Sequence, residues 1–145
     1  MKEIIATIDA PPAIGPYAQG VKAGDTIYVS GQLPIEPKTG RMMTGSIAAQ
    51  TERVLLNIRA IVEEGGASLE DVVKITVYLT DLDNFDEVNR IYKLFFPYSD
   101  DPNSLSQSLP PARSTVEVSR LPKDAEIEMD AIAVVSHGYI DPDAY

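Results

Sequence analysis

The chain has 145 residues, 44% of them hydrophobic and 23% charged, which is enough for one globular core and short for two. Twelve basic against 22 acidic residues leave a formal charge of -10, which repels phosphate polymers and anionic membranes, so nucleic acids and lipid surfaces are disfavoured as partners. With no cysteine and a single histidine, His137, a disulfide framework, a thiolate nucleophile, a zinc site of the usual ligands and a Ser/His triad of ordinary spacing fall away.

The stretch Met1 to Asp9 places an acid directly after its first base and is too short in apolar residues for a signal peptide, so no export is expected. Residues 1–45 are rich in Gly and Pro and read as short strands, of which Thr26 to Ser30 has the clearest β-branched and aromatic bias. Asp25 before that piece and Pro37-Lys38-Thr39-Gly40 after it carry turn chemistry and make a hairpin plausible. From Ser46 to Glu64, Ile47, Val54, Leu55, Ile58, Ile61 and Val62 recur at steps of three and four, which predicts a helix with Ser46 as its cap and Gly65-Gly66 as its stop.

Asp71 to Thr80 alternates as a half-buried strand, with Val73, Ile75, Val77 and Leu79 on one side. Asp83 to Phe96 returns to helical spacing and ends before Pro97. The polar segment 97–109 has no period and reads as a long exposed loop. Two strands close the chain, Ser114 to Arg120 and Glu126 to Val135, joined as a hairpin by the Leu121-Pro122-Lys123-Asp124 turn. In the first, Val116 and Val118 are expected to face the core and Arg113, Thr115, Glu117 and Ser119 the other side. In the second, Glu126, Glu128 and Asp130 form the polar side. The longest apolar run, Ala131 to Val135, falls far below the roughly 20 residues of a membrane helix. One domain over 1–145 is expected, with a polar tail at 136–145 in which His137 is incidental. Two helices would cover one face of a mixed sheet, in the α+β class, and leave a polar second face that is either solvated or a subunit interface.

Two side chains carry most of the possible chemistry. Arg113 opens a strand behind Pro110-Pro111, and a planar guanidinium in a fixed place suits a carboxylate through two parallel hydrogen bonds. A surface ion pair with Glu117 is the plainer alternative. Glu128 lies between Ile127 and Met129, where partial burial would raise its proton affinity and suit it to shuttle a proton through water. With Glu126 and Asp130 beside it, a solvated strand face is the alternative. Gly15-Pro16-Tyr17 and Ser30-Gly31-Gln32 can orient a small polar ligand or simply make turns.

Taken together, Ala13-Ile14-Gly15-Pro16-Tyr17-Ala18-Gln19-Gly20, Val29 to Pro34, Val88-Asn89, Pro111-Ala112-Arg113-Ser114 with Val116-Glu117-Val118, and Leu121-Pro122-Lys123 through Ile127-Glu128 closely resemble the RidA (YjgF) family. The resemblance implies a chorismate-mutase-like α+β subunit in a homotrimer with pockets at the subunit interfaces. It implies hydrolysis of reactive 2-imino or 2-enamino acids, such as 2-aminoacrylate, to 2-oxo acids and ammonia, in the cytoplasm and without metal or organic cofactor. In that setting Arg113 would bind the substrate carboxylate and Glu128 would activate water, while Tyr17, Ser30, the Gly31 backbone, Asn89 and Thr115 line the pocket. Thr115 stands where family members often carry Cys, and the loop 97–109 is longer than the usual connection. A trimer that senses 2-oxo acids without turnover is the leading alternative, and a ribonuclease is disfavoured by the charge.

Overall fold

The computed structural model describes residues 1–99, 101–104 and 109–136. Of the expected loop 97–109, residues 100 and 105–108 lie outside the described residues, as does the tail beyond Ser136 with His137. In chain order the elements are β1 (Lys2–Ile5), β2 (Gly20–Ala23), β3 (Thr26–Gln32), α1 (Ile47–Glu64), β4 (Val72–Leu79), α2 (Phe85–Phe95), β5 (Ala112–Glu117) and β6 (Ile127–Val134). They form one six-stranded sheet in the order β1-β2-β3-β6-β4-β5. All neighbours are antiparallel except β4 and β5, which run parallel because α2 carries the chain back between them.

The expected α+β mixed sheet with two helices on one face is what forms. Val54, Leu55, Ile58, Ile61 and Val62 of α1 are fully buried against Ile27, Ile75, Val77, Ile127 and Met129, each contributing about 1.5–3 kcal/mol of burial. Ser46 caps α1 by accepting from the Ala49 amide at 3.1 Å. At the far end Gly66 takes φ +91°, and the amides of Gly66 and Ala67 close back on the carbonyls of Glu63 and Val62 in a Schellman motif. Of the two glycines expected to stop the helix, only Gly66 needs the left-handed conformation. Before α2 a single 3₁₀ turn, Leu82–Asn84, occupies the first residues assigned from sequence to the helix. No helix among the described residues is long and apolar enough to cross a membrane.

Three sheet expectations are corrected. The closing strands are not a hairpin: β4 lies between β5 and β6, pairing with both. The connection 118–126 crosses the end of β4 and buries Leu121 and Ala125 with Leu33 and Ile35 in a small second cluster. On β4, Val72 is buried and Val73 is 47% exposed, the reverse of the alternation. Val72 pairs with Ala133 and Lys74 with Ile132, so Val73 is the extra residue of a β-bulge that shifts the pleat by one.

The largest correction concerns β5. Arg113 and Thr115 pair with the buried Ile75 and Val77 and so point to the helix side, whereas Val116 pairs with Tyr78 on the uncovered face and is 42% exposed. That uncovered face is not simply polar. Ile4, Val21, Tyr28 and Ile132 form one continuous row across four strands, with Ile4 74% and Tyr28 50% exposed.

Asn57 ties this layer together. Fully buried on α1, it donates through Nδ2 to the carbonyls of Leu33 and Ile35 at 3.2 and 3.0 Å and accepts from Arg53 Nε. Asn57→Leu strands two buried carbonyls, and urea denaturation is expected to report a loss of about 2–4 kcal/mol. A loss below about 0.5 kcal/mol would show that these bonds are dispensable.

Candidate active site

The seven side chains singled out from sequence fall into two groups on opposite faces of the sheet. On the uncovered face stand Tyr17, Ser30, Gly31 and Glu128, and on the helix side stand Asn89, Arg113 and Thr115.

Glu128 pairs with Tyr78 of β4 and is half-buried. A bulge on β3 sets Ser30 and Gly31 beside it: between the pairs Val29↔Ala131 and Gln32↔Met129, two residues of β3 oppose the single Asp130 of β6. A Cβ on Gly31 would stand 2.9 Å from Glu128 Oε1, so the carboxylate occupies the space a side chain at 31 would take. Burial, and secondarily the charge of Asp130, pushes the Glu128 carboxyl above the usual carboxylate range. Asp130 in turn accepts from the Tyr78 hydroxyl at 2.9 Å, a bond that holds the phenol above its ordinary value.

Ser30 Oγ donates to the Ala18 carbonyl at 2.6 Å, and the Ser30 amide donates to the Gln19 carbonyl. Gln19 is a residue whose role the sequence hid within a motif. Buried, it donates through Nε2 to the carbonyls of Thr7, Ala10 and Pro11 and accepts from the Thr7 amide, pinning the 7–11 segment over the strand ends. Tyr17, held at the edge of this loop, lines an open groove of about 1070 Å³ with Ser30, and an adjoining recess of about 30 Å³ with Gly31.

On the other face, Arg113 has no carboxylate partner among the described residues. The anticipated ion pair with Glu117 is not made, because Glu117 accepts from the Leu82 amide at 3.1 Å. Instead the guanidinium carbon lies 4.8 Å from the ring centroid of Tyr92 and 5.4 Å from that of Phe85, both on α2. Burial pushes the Tyr92 phenol up to about 12, with Arg113 opposing the shift, so it stays neutral. Asn89 sits between the two rings on the same face of α2 by its spacing. The hydroxyls of Tyr92 and Thr115 are buried without a hydrogen-bond partner. In the sequence Phe85 and Tyr92 fall on the apolar stripe of the helical spacing from Asp83 to Phe96, and nothing in that spacing marks a ring as a seat for a cation.

No group of three or more His, Asp or Glu side chains suited to a metal ion occurs among the described residues. The arrangement sets a guanidinium on two aromatic rings on one face, and a half-buried carboxyl with raised proton affinity against Gly31 on the other.

Residues 7–135 match the model of the family described as Endoribonuclease L-PSP. A RutC family protein of Pyrococcus abyssi is 54% identical over 132 residues, covering 91% of this chain and 96% of the relative. The 2-iminobutanoate/2-iminopropanoate deaminase of Escherichia coli is 48% identical over 134 residues, covering 92% and 98%. Among solved structures, Escherichia coli TdcF with bound serine is similar with a TM-score of 0.83 and 44% identity, covering 92% of this chain and 99% of that one. Other solved relatives are described as an endoribonuclease or a translation initiation inhibitor.

The raised proton affinity of Glu128 has a thermodynamic signature. A carboxyl that binds its proton more tightly in the folded state destabilises the fold above its folded pKa, and that cost disappears as the pH falls below its unfolded value. Glu128→Gln is therefore expected to melt above wild type at neutral pH, with the difference closing as the pH falls to about 4. A melting-temperature difference that is the same at both ends of the range would mean that Glu128 is as well solvated folded as unfolded.

Proposed function

Since the chain belongs to the Endoribonuclease L-PSP, or RidA (YjgF), family, we propose that it is a hydrolytic deaminase that converts 2-imino and 2-enamino acids to 2-oxo acids and ammonia. The observation that carries this reading is the Arg113 guanidinium, seated on two aromatic rings with no carboxylate against it among the described residues, in a chain that has ten more acids than bases. It is a binding site for an organic anion. The deaminase name of the Escherichia coli relative supplies the class of anion.

Arg113 and Glu128 project from opposite faces of one sheet, so no single protomer can present both to one small substrate. The reading therefore includes a homotrimer in which Arg113, Asn89 and Thr115 of one protomer meet Tyr17, Ser30, Gly31 and Glu128 of its neighbour. The apolar row Ile4, Val21, Tyr28 and Ile132 on the uncovered face supports association, since contiguous exposed apolar surface marks interfaces.

In such a pocket the substrate carboxylate pairs with Arg113, and a water held by Glu128 lies about 3–3.5 Å from the electrophilic imine carbon. The reacting species is the N-protonated imine: as the water oxygen bonds to that carbon, Glu128 takes a proton from the water, and the C=N π pair moves onto the cationic nitrogen to give a neutral carbinolamine. Glu128 returns that proton to nitrogen. The C–N bond then breaks with its pair on the departing ammonia, the hydroxyl oxygen forms the new C=O, and its proton passes to Glu128. An enamine substrate first gains a proton at its terminal carbon to become the same N-protonated imine. Two proton loads and two releases suit one carboxyl whose affinity lies nearer neutrality than usual.

The endoribonuclease name is not extended to this chain, because a net charge of -10 opposes approach of a phosphate backbone. The relative that holds serine favours one second reading, a trimer that binds small carboxylates without turnover.

Imino acid generated in situ from an amino acid by an oxidase, with 2-oxo acid formation timed, tests the reaction. Wild type is expected to accelerate the decay. Arg113→Lys should lose roughly 10- to 100-fold in kcat/KM through the missing paired bonds. Glu128→Gln should lose roughly 10²- to 10⁴-fold in kcat while still binding a 2-oxo acid. No acceleration by wild type, with binding intact, would leave the sensor reading.

The shared pocket has its own test. Inactive Arg113→Ala and Glu128→Gln chains, unfolded together and refolded at equal amounts, should regain roughly a quarter of wild-type activity, because one interface in four then receives both intact residues. No regain in mixed trimers would place both residues in one protomer's pocket and contradict the geometry.

A further inference from the structure

Resting on the deaminase reading, we propose that Tyr92 and Phe85 are positioning residues for the carboxylate clamp. Their ring faces hold the Arg113 guanidinium in place while leaving its N–H groups free for the substrate. The problem they solve is competition. A long cationic side chain on an edge strand must be fixed to bind an anion in one orientation, and an acidic neighbour is the usual means of fixing it. An acid would also occupy the same paired donors that the substrate carboxylate needs. An aromatic face attracts the cation through its quadrupole and leaves the in-plane N–H groups unclaimed.

The surroundings of Arg113 follow this rule. Two acids on these elements are engaged elsewhere: Glu117 with the Leu82 amide at 3.1 Å, and Glu87 with Arg90 at 2.7 Å. Phe85 and Tyr92 are seven residues apart on α2, two turns along one face, so their rings flank the guanidinium at 5.4 and 4.8 Å. Tyr92 is 9% exposed and Phe85 38%, and Arg113 itself is half-buried, so the rings do not seal it from an incoming anion. The Tyr92 ring is fixed by packing, its centroid 4.8 Å from that of Phe96, and not by its hydroxyl, which has no partner. The ring is what positions Arg113, and the hydroxyl is dispensable to that role.

The test measures KM and kcat for an imino acid, together with the Kd of 2-oxobutanoate by calorimetry, in Tyr92→Leu, Phe85→Leu and Tyr92→Phe. Each Leu variant is expected to raise KM and Kd in parallel by roughly 2- to 30-fold, with kcat within about twofold of wild type. Phe at 92 restores the ring and should bring both constants back to within about twofold of wild type. Phe85, the more exposed ring, keeps the test open if the buried substitution prevents folding. Unchanged KM and Kd in a folded Leu variant, whatever happens to its melting temperature, would overturn the proposal, as would a fall in kcat alone. Wild type that binds 2-oxobutanoate without hydrolysing imines refutes the deaminase reading and leaves the Kd comparison able to judge the clamp. Wild type that does neither overturns both.

Discussion

The pleat shared by β5, β4 and β6 is the constraint from which the site follows. Side chains on neighbouring strands that face one another across the ladder must emerge on the same side of the sheet. Arg113 is paired with Ile75 and Glu128 with Tyr78, and Ile75 and Tyr78 are an odd number of residues apart on β4. The guanidinium is thereby committed to the helix layer and the carboxyl to the bare face. No rotamer of either side chain can reverse that assignment. On the proposed reading, what looks like an incomplete site in one chain is a reason for chains to meet, and the exposed apolar row lies on the same face of the sheet as Glu128.

Charge economy separates the two halves. Among the described residues Arg53, Arg90 and Arg120 pair with acids and Arg113 does not, while Glu117 and Glu87 are engaged with other donors. The acidic half is treated in the opposite way. Asp130 is satisfied by the Tyr78 hydroxyl, while Glu128 is left against the Gly31 backbone with little to stabilise its ionised form. Two carboxyls two residues apart on one strand thus have different surroundings: Asp130 accepts from a phenol, and burial raises the proton affinity of Glu128.

Much of this architecture was legible from residue order. The periodicity of α1, its Ser46 cap and its Gly66 stop, the alternation of β4 beyond residue 74 and the end of α2 before Pro97 are local matters, decided within a few turns of chain. The errors were all non-local. A short turn between β5 and β6 reads as a hairpin because sequence does not reveal that β4 lies between them. Val73 looks like a core residue because a bulge adds no residue type of its own. Arg113 and Thr115 were assigned to the polar face on the assumption that valines point inward, but β5 is an edge strand whose inner side is closed by the rings of α2, so a guanidinium fits there. Residue identities at the candidate site came from motif resemblance, and their division between two faces could come only from the ladder register.

Gly31 carries one more implication. Its φ is not in the left-handed region, so the backbone there does not itself require glycine, and the three atoms nearest to a Cβ at 31 all belong to the movable Glu128 side chain. Selection on abundance and selection on chemistry should therefore diverge at this codon. A saturation library sorted for protein level would accept alanine and serine at 31, while, on the proposed deaminase reading, the same library sorted for imine clearance would be depleted of them.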